Sequence, residues 1–187
     1  MPSVIDYPTV LKTMESTGFK SLYYNSGAFG FTEKHGVSYL GWTTSDDPTL
    51  RPEMRALAIQ VERPAELARR AWQEYLPGLV WVMPMSHWAY ELDFGSRDWM
   101  PTALQQAKID PAELNSLTTG NAIEFTMKEG VEFALLVDRL LDNLKMSDFM
   151  LAFPGMPVIC TVHHHRQLWW ASNDLQLLGK LQNLTDI

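Results

Sequence analysis

The chain has 187 residues, is 46% hydrophobic and 20% charged, and carries a net charge of −7 from 15 basic and 22 acidic residues. That composition excludes a disordered chain and fits one globular domain, no apolar run reaches the roughly 18 residues of a membrane span, and dispersed basic residues on an acidic chain argue against nucleic acid. The single Cys160 forbids an internal disulfide, and Met1-Pro2-Ser3-Val4-Ile5-Asp6 lacks the basic and apolar regions of a secretory signal, so the cytoplasm is the expected compartment.

Tyr7 to Met14 reads as a helix with Pro8 early in it, closed at Gly18. Phe19 to Tyr24, a turn at Asn25-Ser26-Gly27, Ala28 to Thr32, a second turn at Lys34-His35-Gly36 and the strand Val37 to Thr44 then predict a hairpin or short meander. Asp46 to Pro52 is loop by composition, and Ala56 to Glu62 is a short strand. Pro64 opens a helix in which Leu67, Ala68, Ala71, Trp72 and Tyr75 share a face. Leu79 to Met83 is an apolar strand, and Ser86 to Phe94 alternates as a second one. Helical signals follow over Asp98 to Lys108 and from Asp110-Pro111. Ala122 to Met127 is a strand, and Glu129 to Lys145 is the longest helix, with Val131, Leu135, Leu136 and Leu140 as its apolar stripe. Phe149 to Phe153 is a strand, Val158 to Trp170 an extended strand or hairpin, and Asp174 caps a last helix. Helices alternating with paired strands predict an α+β domain over 1–187 with a mixed or mainly antiparallel sheet and helices packed on one face.

Three aromatic segments each exit through a Ser-x-Asp triplet at Ser45, Ser96 and Ser172. They mark a candidate repetition of α-β-β units over 1–50, 56–108 and 120–187, although capping alone also favours such triplets.

Residues able to carry chemistry gather near those segments. On a strand from Ser86, His87 and Glu91 would share a face with Asp93; the face is either the wet side of an antiparallel sheet or a polar ligand site. In Val162-His163-His164-His165-Arg166-Gln167, strand alternation puts His163 and His165 together, and with His87 or Glu91 they offer the ligand types of a Zn or Fe site without its usual spacing. Cys160, within Val158-Ile159-Cys160, reads as a buried, inert thiol. Trp169-Trp170 puts one indole on each strand face, and Trp169 with Tyr39 and Trp42 is the expected aromatic lining. No nucleophile elbow, phosphate loop or dinucleotide fingerprint is present, and no cofactor is indicated.

These residues predict a non-catalytic domain that binds a small or medium-sized ligand in an aromatic groove formed by Tyr39, Trp42, His87, Glu91, His163, His165 and Trp169. A protein-interaction module, such as an adaptor or inhibitor, would use the same aromatics as anchors. A metal-dependent enzyme built on His163, His165 and His87 is the third reading.

Overall fold

The computed structural model describes residues 1–32, 36–43, 56–58, 64–93, 97–117, 119–144 and 146–185. The expected loop over Asp46 to Pro52, the Ser45 triplet, Ser96, the Lys34-His35 turn and the strand beyond Ala58 lie outside the described residues, as do the side chains of Trp42 and Asp93.

The chain opens with β1 (Ser3–Ile5) and α1 (Tyr7–Ser16). Asp6 caps α1 by accepting from the backbone N–H of Thr9, and Gly18 leaves the helix with φ +88°. β2 (Phe19–Ser21) and β3 (Phe29–Phe31) form a separate two-stranded ribbon, while β4 (Ser38–Thr43) enters the main sheet. β5 (Ala56–Ala58), α2 (Pro64–Tyr75), β6 (Val80–Pro84), α3 (Trp88–Asp93) and α4 (Met100–Gln106) come next. β7 (Ala122–Phe125), α5 (Gly130–Asn143), β8 (Phe149–Ala152), β9 (Val158–His163), β10 (Gln167–Ser172) and α6 (Leu175–Gln182) complete the chain, with short 3-10 turns between them.

The main sheet has eight strands in the order β1-β7-β6-β8-β9-β10-β4-β5. All neighbours are antiparallel except β4 and β5, so the fold is α+β with a mixed, mainly antiparallel sheet. Strand alternation divides its two faces between two cores. One face sends Val82, Ile123, Leu151, Cys160, Leu168 and Trp170 into the larger core, against Trp72 of α2, Phe133 and Leu136 of α5 and Leu177 of α6. On the other, Trp81, Met83, Met150, Ile159 and Ala171 meet Tyr7, Val10 and Met14 of α1 and Phe19 and Phe29 of the ribbon.

Two sequence expectations are corrected here. Ser86 to Phe94 is not a strand: its described core is the helix α3. Trp88 and Leu92 satisfy a helical i, i+4 spacing as well as alternation, and both are buried while Tyr90 between them is 57% exposed. β6 already has β7 and β8 on its two sides, so no sheet edge was open to a following strand. The second correction concerns α5, whose buried stripe is Phe133, Leu136, Val137 and Leu140; Val131 and Leu135 are exposed.

With a helix at its end, the second candidate unit does not repeat the α-β-β order of the first. β4 and β10, which precede two of the triplets, are nonetheless neighbours. At the third triplet Asp174 caps α6 through the N–H groups of Gln176 and Leu177, and Ser172 Oγ accepts from the Asp174 N–H.

Candidate functional site

Trp169 determines the shape of the sheet face on the ribbon side. In the register of β10 and β4 it lies opposite Gly41. A Cβ on Gly41 would fall 2.0 Å from Cζ3 of the indole, so only glycine lets the ring lie down over β4. Its Nε1–H donates to Oε1 of Gln167 at 3.0 Å, two residues back on the same strand face, which fixes the ring's direction. Gln167 is fully buried, and among the described residues its Nε2 has no hydrogen-bond partner.

The ribbon stands opposite. Phe29 is buried against the sheet, and its backbone N–H donates to Met150 Sδ at 3.3 Å. Tyr7 of α1 donates to Ser21 Oγ and holds β2 from the other side. Between ribbon and sheet lies a groove of about 410 Å³. Trp169, Ile159, Thr161, Met150 and Ala171 line it from the sheet, Phe29 and Phe31 from the ribbon, Tyr23 from the ribbon's connection, and Tyr39 from β4. Tyr39 is half exposed, so its phenol is free to meet a guest, whereas Trp169 is 95% buried and rigid.

Asp148, which immediately precedes β8, is the charged residue among the described residues that line the groove. Its Oδ1 accepts from the backbone N–H of His164 at 3.1 Å and from the His164 ring, Nδ1, at 2.9 Å. The same oxygen lies 3.9 Å from Nε2 of His163. The imidazoles belong to the tight connection between β9 and β10. Arg166 N–H donates to the His163 carbonyl at 2.9 Å, and Arg166 takes φ +60°. This is a type I turn followed by a left-handed residue, which closes a three-residue hairpin.

Strand alternation therefore ends at His163, and the pairing of His163 with His165 on one strand face is corrected. The turn instead gathers His163, His164 and His165, with ring centroids 4.2 to 5.0 Å apart.

His87 and Glu91 belong elsewhere. His87 precedes α3, and its Nε2 lies 2.9 Å from the Tyr24 carbonyl oxygen. Glu91 is buried within α3 and not on a wet strand face; its Oε1 accepts from the backbone N–H of Ser86 at 3.1 Å. Both help to pin α3 and the loop at Asn25-Ser26-Gly27, where a Cβ on Gly27 would meet the Pro84 carbonyl oxygen at 2.3 Å. Of the seven residues expected to form one site, Tyr39 and Trp169 share the groove, His163 and His165 share the turn at its end, and His87 and Glu91 join neither. Trp42 is placed by backbone only, opposite Leu168.

Asp148 links groove and turn, and sequence reasoning missed it. A lone acidic residue after Ser147 carries no signal that separates a strand-end carboxylate from a site residue. Cys160 sits in the helix-side core, where burial pushes its thiol well above the usual range and leaves it un-ionised.

No family model, curated protein or solved structure matches this chain.

Proposed function

We propose that the domain binds a small, flat organic ligand in the groove between ribbon and sheet, without transforming it. The observation that carries this reading is the indole of Trp169, held flat by Gly41 as a preformed wall of a cavity within the usual size range of small-molecule sites. A wall that is already ordered costs little to use, because no rotamer freedom is lost when a ring stacks on it. Tyr39 supplies a second, half-exposed aromatic surface. Asp148, in the position that sequence reasoning gave to Glu91, would pair with a cationic or donor group at the end near the histidine turn. The acidic chain and its lone buried cysteine favour a cytoplasmic setting and a ligand other than nucleic acid. Among the described residues no helix is long and apolar enough to cross a membrane.

The test is a thermal-shift screen of aromatic amines, nucleosides and neutral aromatics. A ligand present at about 100 times its Kd stabilises by about 2.7 kcal/mol, a rise of several degrees for a domain of this size. Aromatic amines are expected to give the largest rise and to lose most of it in Asp148→Asn. A screen in which no class raises the melting temperature, or in which Asp148→Asn responds like the wild type, overturns the reading.

A protein partner is the second reading, favoured by Leu22, Tyr23 and Tyr24, exposed by 50%, 65% and 87% on the ribbon's connection. Tyr24 does not line the groove. Tyr24→Ala would therefore abolish partner binding and leave small-ligand stabilisation intact.

A further inference from the structure

We infer that the hairpin turn between β9 and β10 is a divalent transition-metal site, with His163, His164 and His165 as ligands and Asp148 as the residue that orients them. One ring nitrogen from each of the three imidazoles lies within 4.8 Å of the others. Zn–N bonds of about 2.0–2.1 Å place tetrahedral ligand nitrogens about 3.4 Å apart, so the rings, of which His163 and His164 are stacked, must turn and draw together around the ion. His165 is exposed and can rotate to meet the other two.

The hydrogen bonds set the tautomers that matter. Asp148 Oδ1 accepts from Nδ1–H of His164 at 2.9 Å, which leaves the Nε2 lone pair of that ring free. A carboxylate holding the far nitrogen of a ligating histidine is the usual partner of a metal-bound imidazole: it fixes the ring and raises its basicity. In His163, Nδ1 accepts the backbone N–H of His165 at 3.2 Å, near the long end of the hydrogen-bond range, and a metal at this nitrogen would replace that weak bond. Three protein ligands leave a fourth position for water. Three neutral imidazoles and an open position suit Zn²⁺, with Cu²⁺ and Ni²⁺ as competitors.

This site shares Asp148 with the ligand reading but rests on the turn and not on Trp169, so the histidine variants tell the two apart. Zn²⁺ binding to tag-free protein, followed by calorimetry in a non-chelating buffer at neutral pH, tests it. One equivalent per chain is expected. His164→Gln and His165→Gln should each weaken binding at least tenfold, and Asp148→Asn by about 10–100-fold, the usual effect of removing the carboxylate behind a ligating histidine. His87→Gln, remote from the turn, should bind like the wild type. Binding should also weaken in mild acid as protons compete for the imidazoles. Far-ultraviolet circular dichroism confirms that each variant folds, and the exposed His165 is the variant least able to disturb folding. Binding well short of one equivalent, or His165→Gln and His164→Gln with wild-type affinity, overturns the site. Loss of small-ligand stabilisation with zinc binding intact would count against the groove alone.

Discussion

A single glycine and a single indole define the groove. Gly41 was unremarkable in sequence, one small residue within a strand, and the reason for it appears only when β10 brings Trp169 across from it. Gly41→Ala is expected to force the indole off β4 at a cost of about 1–3 kcal/mol, the range for overpacking a filled site. Chemical denaturation measures that loss, and an unchanged midpoint would mean that the ring has another place to lie. The division of Trp169 and Trp170 between two faces was readable from alternation alone, and Trp170 does enter the helix-side core. Asp148 was not readable, because its role comes from His164, which is 16 residues away in sequence.

Elements were legible where one period dominated. α2 shows its buried Leu67, Ala68, Ala71 and Trp72 in the order that helical spacing demands, and the β-rich run from Val158, which allowed one extended strand or a hairpin, is the hairpin of β9 and β10. α3 failed because Trp88 and Leu92 fit both periods, and the choice was made by the neighbours of β6, not by local propensity. On α5 the exposed Val131 and Leu135 drew attention from the true stripe, which includes Phe133. That helix also carries an acid-sensitive tie to the segment after α4. Glu132 accepts from Lys108 Nζ at 2.5 Å, and that hydrogen bond, with the lysine's charge, holds its carboxyl below the usual range. A depressed folded-state pKa contributes stability that is complete above the unfolded value, about 4.3, and is lost as pH falls through the folded one. Glu132→Gln should therefore lower the melting temperature slightly at pH 7, since Lys108 is mostly exposed, and the gap to wild type should close in strong acid. A gap that persists there would assign the loss to packing.

At the scale of the whole molecule, the class was legible and the topology was not. Alternating helices and strand pairs predicted an α+β domain, but nothing local says that β1 pairs with β7 or that β4 returns beside β10. Those pairings join residues more than a hundred positions apart, and they build the site: β4 brings Gly41 and Tyr39, β10 brings Trp169, and β8 begins beside Asp148. The sheet thus keeps one face for a core under α2, α5 and α6 and lines a groove with part of the other, beneath the ribbon. A preorganised aromatic groove is the central claim, and amide and indole chemical shifts followed by nuclear magnetic resonance during titration with an aromatic amine test it most directly. The Trp169 indole N–H and the amides of Gly30, Thr161 and Ala171 should move together and saturate with one Kd. Shifts confined to the helix-side face, or a Trp169 indole signal that stays in place while other sites saturate, would contradict the claim.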